Sequence, residues 1–480
     1  MNYRMISYVL FFILKLEGLF MLLPCLMSLI YGEMHAVIIY LICSGVCFLI
    51  GFLGSLKKPK DTLIYQKEGF VAVALCWIIM SLFGAVPFVL MGEIPSYVDA
   101  VFEIVSGFTT TGASIIPNVE LLSHASLFWR SFSHWLGGMG VLVFALMIIP
   151  AKNGSNMNLM RAESPGPDVS KLVPRIKDTA IILYKIYLCM TLVQIALLLL
   201  SGMDWFDTIC ISMGTAGTGG FSVIASGCAG YTVVQQWIIT VFMILFGVNF
   251  TFYYLLLYKK AGAAFKMEEV RTYILIIIGA IAIITCNIFS IYGNIADSVR
   301  NASFQVGSII TTTGYATVDF NLWPSLSKAV LIILMFIGAC AGSTGGGLKV
   351  SRFLILVKCI KRDIYRTIHP RRVKSIQMDG KHLSDAQRHG VAVYFAAFML
   401  IFTVSFLIVS IDGFSFETNF SAVAATFNNI GPGMDVVGPM SNFAAFSPLA
   451  KIVMIFDMLA GRLEIFPMII LLSPQIWSKK

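Results

Sequence analysis

Four stretches of this chain set hydroxyls and glycine carbonyls at one shared spacing, which is chemistry for holding a bare cation rather than for breaking a bond. They are Ser106-Gly107-Phe108-Thr109-Thr110-Thr111-Gly112-Ala113-Ser114, Gly214-Thr215-Ala216-Gly217-Thr218-Gly219-Gly220-Phe221-Ser222, Ser308-Ile309-Ile310-Thr311-Thr312-Thr313-Gly314-Tyr315-Ala316 and Ala425-Thr426-Phe427-Asn428-Asn429-Ile430-Gly431-Pro432-Gly433. Aligned on Gly112, Gly220, Gly314 and Gly431, they put Thr110, Thr218, Thr312 and Asn429 two residues earlier, with Thr111, Gly219, Thr313 and Ile430 between. A glycine can turn its carbonyl inward at backbone angles that a Cβ would penalise. Four such loops about one axis form a ring of uncharged oxygens able to replace the water around a monovalent cation. One copy alone reads as a Gly/Thr turn; recurrence at a period of roughly 100 residues points to fourfold pseudosymmetry.

Thirteen residues before each aligned glycine stand Asp99, Asp207, Asn301 and Thr418. All four residue types make good helix N-caps, so a short pore helix is expected to run from each cap into its loop. Its unpaired C-terminal carbonyls, with their partial negative charge, would then face the axis and favour a cation.

These loops resemble the pore loops of the Trk/Ktr/HKT superfamily of potassium transporters, and all 480 residues resemble its TrkH branch. The resemblance implies an all-α integral membrane fold, with four pseudo-symmetric helix–pore loop–helix units around a central pore and an extra N-terminal transmembrane hairpin. It implies a potassium filter formed by Thr110, Thr111, Gly112, Thr218, Gly219, Gly220, Thr312, Thr313, Gly314, Asn429, Ile430 and Gly431. The potassium ion is then substrate, and no bound organic cofactor is expected. Loop four departs furthest from the Thr-Val-Gly-Tyr-Gly filter of potassium channels, but its Asn-Asn-x-Gly-Pro-Gly form is typical of TrkH-like proteins.

Composition agrees with a membrane protein. Hydrophobic residues make up 58% and charged residues 12% of the chain, and mean hydropathy is +0.85, against about a quarter charged in a soluble domain. The net charge of +9 does not argue for nucleic acid, because the positives lie in links between apolar spans rather than on one face of a soluble domain. Ten cysteines lack paired spacing and read as buried thiols.

Residues 7–30 and 36–54 are two spans of membrane length. The first is too long and lacks a cleavage site for a signal peptide, and its Lys15 and Glu17 should face protein or snorkel. The four units follow, with spans 69–92 and 126–150, 178–202 and 233–258, 271–293 and 327–358, and 390–411 and 448–473, ten in all. The corresponding boundaries are 1–60 for the hairpin and 61–160, 161–265, 266–375 and 376–480 for the units. Lysine and arginine gather in alternate links: Lys57 to Lys67, Lys152 to Lys177, Lys259 to Arg271, Lys358 to Arg388, and Lys479 with Lys480. By the positive-inside rule both termini are cytoplasmic and the loops open outward. Glu93, Asp99, Glu120, Asp204, Asp207, Asp297, Asp319, Glu417 and Asp435 then fall outside, as a vestibule that attracts cations or as caps and solvated charges.

Two interruptions are expected to matter. Gly338-Ala339-Cys340-Ala341-Gly342-Ser343-Thr344-Gly345-Gly346-Gly347 would not form a continuous helix, since each interior glycine costs about 1 kcal/mol against alanine. Irregular backbone at membrane depth needs protein or a water-filled cavity around it, a condition met beneath a filter. A phosphate-binding loop is excluded by residue order and context. Arg462 falls inside the last span, where a cation must face the pore or pair with a carboxylate such as Asp457 or Glu464. The resemblance makes the glycine-rich segment, with Gly342, Gly345, Gly346 and Gly347, a mobile intramembrane gate, and Arg462 an electrostatic barrier in the conduction path. His134 has no ligand-spaced neighbour and reads as a packing or hydrogen-bonding residue.

The basic stretch 358–388 suits anionic lipid headgroups. The resemblance adds a second copy of this chain, giving a homodimer, and cytosolic nucleotide-binding TrkA-like regulatory subunits, in a bacterial cytoplasmic (inner) membrane. The expected function is channel-like potassium uptake. Proton- or sodium-coupled symport, or a sodium-permeable relative, remains the alternative, and no catalytic constellation is present.

Overall fold

The structure is a computed structural model that describes residues 1–61, 64–140, 176–372 and 375–477. The end of the 126–150 span, the link from Lys152 to Arg175, the 160/161 boundary, and Lys479 and Lys480 lie outside the described residues. The described chain is helical apart from loops and one antiparallel pair of two-residue strands, β1 (Gln377–Met378) and β2 (Lys381–His382).

The chain opens on α1 (Tyr3–Phe20) and α2 (Leu22–Tyr31), which together make one apolar span, and returns through α3 (Met34–Ser55). Glycine lets α1 and α3 touch backbone to backbone: a Cβ on Gly51 would lie 2.3 Å from the Lys15 amide nitrogen, a common device for packing membrane helices. Ser44 Oγ donates to the Gly18 carbonyl at 2.6 Å. Glu17 is buried against protein, and the Lys15 ammonium lies over the Phe12 ring at 4.6 Å.

The first unit comprises α4 (Gln66–Gly84), α5 (Val86–Leu90), the pore helix α6 (Tyr97–Phe108) and α7 (His124–Met139). The second has α8 (Ile176–Leu200), the pore helix α9 (Trp205–Gly217), α10 (Val233–Phe246) and α11 (Phe250–Leu257). In the third, α12 (Glu268–Tyr292) and the pore helix α13 (Ile295–Ile310) precede α14 (Ser325–Ile337) and α15 (Val350–Ile368). The fourth has α16 (Asp385–Val409), the pore helix α17 (Phe416–Phe427), α18 (Pro448–Arg462) and α19 (Phe466–Leu472).

Ten uninterrupted spans do not result. Among the described residues six helices are long and apolar enough to cross a membrane, or seven if α10 and α11 count as one. The difference lies in the returning helices. α10 and α11 meet at 90° around Gly247-Val248-Asn249; α14 and α15 are separated by the glycine-rich segment; α18 and α19 are separated by Leu463, Glu464 and Ile465, the last two at positive φ. Pro467, in the first turn of α19, supplies no N–H to continue the preceding helix.

The expected caps are also displaced. The pore helices are capped by Ser96, Asp204, Asn294 and Ser415, whose side chains accept from Asp99 N, Phe206 N, Ala296 N and Thr418 N. Asp99, Asp207 and Thr418 stand one turn inside their helices, and Asn301 is buried in the body of α13. The acids in that first turn still favour the positive end of the helix dipole, but the hydrogen-bonding cap needs a residue with non-helical backbone angles.

Candidate functional site

All four pore helices run directly into their loops, and the loops adopt one backbone conformation. Thr110, Thr218, Thr312 and Asn429 are left-handed, with φ of 56°, 56°, 59° and 56°. The aligned Gly112, Gly220, Gly314 and Gly431 follow at 80°, 80°, 84° and 102°. A β-branched residue in the left-handed region is strained, so three threonines there signal a geometry imposed by the surroundings. A Cβ on Gly112 would lie 1.9 Å from the Gly219 carbonyl oxygen, one on Gly220 1.9 Å from that of Thr313, and one on Gly314 2.0 Å from that of Ile430. On Gly431 it would lie 2.8 Å from that of Thr111, which closes the circle in the order one, two, three, four. The four glycines border one cavity of about 120 Å³, with Arg130 its one charged lining residue.

The nine outer acids do not line that cavity. Asp99 pairs with Lys451 at 2.7 Å, Glu417 with Lys328 at 3.0 Å and Asp297 with Arg300 at 2.9 Å. Asp204 and Asp319 are caps, Asp207 accepts from Tyr231 at 3.1 Å, and Glu93 and Glu120 accept from the Ser123 and Ala225 amides. Asp435 accepts from Ser415 and Thr418 hydroxyls at 2.5 and 2.6 Å, which hold its carboxyl below the usual carboxylate range. These acids serve as caps and straps.

Side chains that sequence reasoning passed over fasten the ring from behind. Arg130 and Glu103 form a buried ion pair at 2.8 Å. Glu103 also accepts from the Ile115 amide at 2.9 Å, and the Arg130 guanidinium stacks over the Phe221 ring at 4.0 Å, so the pair ties loop one to loop two. His134, read as structural, does the same: Nδ1 lies 2.8 Å from the Gly107 carbonyl and Nε2 accepts from the Phe221 amide at 3.2 Å. One contact needs a proton and the other a lone pair, so the ring is neutral with its hydrogen on Nδ1. Tyr315 of loop three donates toward the carbonyls of Ile211 and Phe221, at 3.2 and 3.3 Å. Asn429 of loop four donates to Thr111 Oγ1 at 3.0 Å and to the Met458 carbonyl at 2.8 Å.

The glycine-rich segment lies against the inner side of this ring. The Gly346 amide donates to Thr312 Oγ1 at 2.6 Å, and that of Gly347 to the Asn428 carbonyl at 3.1 Å. Only glycine fits: a Cβ on Gly345 would be 2.8 Å from the Thr311 carbonyl oxygen, and one on Gly346 2.4 Å from that of Asn428. Gly342 accepts from the Phe250 amide at 3.0 Å. Lys349 is buried and donates to the Gly345 carbonyl. Arg462 reaches the same layer, donating to the carbonyls of Thr344 at 2.8 Å, Gly138 at 2.7 Å and Gly137. Of the two carboxylates considered for it, Glu464 pairs with Arg352, and Asp457 accepts from Ser405 Oγ at 2.6 Å.

A ring of backbone and hydroxyl oxygens with glycine backbone packed against it suits ion transport chemistry, and the chain is similar to transport proteins. A family model described as TrkH, a cation transport protein, matches residues 39–479. The chain belongs to the TrkH family. The Trk system potassium uptake protein TrkH of Escherichia coli strain K12 is 36% identical over 497 residues, with both chains covered in full. Trk system potassium uptake protein TrkG of the same strain is 34% identical, with 99% of this chain and 98% of that one covered. The crystal structure of the potassium transporter TrkH from Vibrio parahaemolyticus matches at a TM-score of 0.89 and 33% identity over the whole of both chains. As a TrkH-family member this chain is an all-helical, multi-pass membrane transport protein and not an enzyme.

Proposed function

We propose that this chain is a potassium uptake pathway of the bacterial cytoplasmic membrane, through which dehydrated ions move down their electrochemical gradient. The observation that carries this is the closed circle of contacts among the loops at Gly112, Gly220, Gly314 and Gly431, which suits backbone and hydroxyl oxygens for a monovalent ion. Thr110, Thr111, Thr218, Gly219, Thr312, Thr313, Asn429 and Ile430 complete the filter. The segment holding Gly342, Gly345, Gly346 and Gly347 is the gate, and the Arg462 guanidinium beneath the ring repels cations until that segment moves. Residues 61–160, 161–265, 266–375 and 376–480 are the four pore units behind the 1–60 hairpin, with both termini cytoplasmic.

The relatives' names speak of a Trk system, which supports a multi-component assembly: a homodimer of this chain controlled by cytosolic, nucleotide-binding TrkA-like subunits. Asp457, buried in α18 with Oδ2 lacking a hydrogen-bond partner among the described residues, is the observation that favours the second reading, uptake coupled to protons or sodium, because coupling needs a titratable group at membrane depth. Potassium flux into proteoliposomes at varied pH and sodium separates the two. Flux that persists without a proton or sodium gradient supports the channel-like reading, and flux that ceases rejects it. Competition among potassium, rubidium, sodium and caesium fixes the ion.

A further inference from the structure

Two adjacent carboxylates, Glu268 and Glu269, begin α12 and face different structures. Glu269 is buried. Its Oε1 accepts from the Ala341 amide at 2.6 Å and the Ser351 amide at 3.1 Å, so one oxygen grips the glycine-rich segment and the first turn of α15 that follows it. Its Oε2 faces Asn249 Nδ2 at 3.4 Å, at the 90° bend between α10 and α11. That bend is itself joined to the segment, because the Cys340 amide donates to the Gly247 carbonyl at 3.1 Å. Glu268 holds the β1–β2 hairpin: its amide donates to Asp379 Oδ1 at 2.7 Å, and its Oε1 accepts from the Asp379 amide at 3.2 Å. Lys358 of α15 donates to Glu268 and, at 2.7 Å, to the Gln377 carbonyl.

We infer that Glu269 is a positioning residue that holds the glycine-rich segment closed against the ring, and that Glu268 ties this hold to the β1–β2 hairpin. A force that moves the hairpin shifts the first turn of α12 and draws Oε1 away from the Ala341 and Ser351 amides together. A buried amide that loses its acceptor is costly, so the segment trades these bonds as a unit. The inference rests on the reading of that segment as the gate, and it adds the handle by which the gate is worked from the face remote from the ring.

The test compares full-length E269A, E269Q, E268A and D379G in lipid nanodiscs for amide hydrogen exchange over 338–351, and in proteoliposomes for potassium flux. Glycine suits position 379, where φ is +50°. E269A should raise exchange at Ala341 and Ser351 and raise basal flux, each by about tenfold. E269Q, whose amide oxygen still accepts from both amides while its NH2 meets the Asn249 Nδ2 donor, should lie between wild type and E269A in both. E268A and D379G should raise exchange in the segment severalfold while the potassium-to-sodium ratio is unchanged. Unaltered exchange in folded E269A, or equal effects of E269A and E269Q, would overturn the grip by Oε1. Unaltered exchange in both E268A and D379G would overturn the link to the hairpin, and these surface variants decide that point even if E269A fails to fold. Exchange that rises with no change in flux would leave the grip standing and reject the segment as the gate.

Discussion

The ring and the layer beneath it obey opposite rules. In the ring, four unequal sequences converge on the same left-handed position, the same glycine and the same neighbour-to-neighbour contact. Beneath it, each returning helix ends in its own way: α7 stops at Gly140, α10 bends through 90°, α14 gives way to the glycine-rich segment, and α18 ends at Arg462 before a left-handed Glu464 and Ile465. Under the proposed function a single ion rewards equal oxygens on all sides, which suits the shared backbone of the loops. Gating as proposed needs one quarter to move against the others, which suits the unequal layer beneath.

The largest effect should come from breaking the ring. Gly112→Ala, Gly220→Ala or Gly314→Ala drives a Cβ into the next loop's carbonyl and should lower the potassium-to-sodium flux ratio by at least about tenfold, since 1.4 kcal/mol suffices for that factor. Gly431→Ala, with 2.8 Å rather than 1.9 to 2.0 Å of clearance, should cost less. Four equal losses would mean that loop four stands in the ring as the others do.

Arg462→Gln addresses the layer beneath. Basal potassium flux should rise by about tenfold or less while the ion ratio is unchanged; a changed ratio would show that ring and underside are not separable. A smaller effect sharpens the contrast further. Thr312 Oγ1 holds the Gly346 amide, whereas Thr110 Oγ1 has no hydrogen-bond partner among the described residues. Thr312→Ala should therefore raise basal flux severalfold, about the value of one buried hydrogen bond, and Thr110→Ala should not. Equivalent fluxes in the two would erase the asymmetry between units one and three.

The smallest effect concerns the outer strap at Asp435, which also exchanges hydrogen bonds with Asn321 of unit three. Its carboxyl is held below the usual range, so its contribution to stability is present above the ordinary carboxylate value and disappears as pH falls through the folded-state value. Thermal unfolding of wild type and Asp435→Asn should differ near neutrality and converge in acid. No gap near neutrality would assign the strap to its backbone bonds with Asn321 alone.

The loops and the glycine-rich segment were legible because repetition and glycine leave marks that survive divergence. Three caps were misplaced by one turn because a spacing counted from Gly112, Gly220 or Gly431 cannot distinguish a cap from the acid or hydroxyl in the first turn behind it, and Asn301 was misplaced further because α13 starts earlier, at the cap Asn294. The span read as continuous over 448–473 breaks before α19: Pro467 stands in its first turn, and the left-handed Ile465 runs against the preference of a β-branched side chain, so only tertiary context sets it. Glu103, Arg130 and Glu269 carried no local signal: their partners lie far along the chain, and a lone charge in an apolar run does not say which backbone it will meet.

The circle of loops is written into one polypeptide. A pore built from four identical subunits inherits every point change on all sides at once, whereas here a single codon alters one wall and spares three. Pro432, which follows Gly431 and would crowd a methyl on Gly314 at 2.9 Å, is such a one-sided feature. In the proposed pore, variation of this kind would let a lineage retune ion preference by quarter steps, without passing through a form in which every wall is damaged.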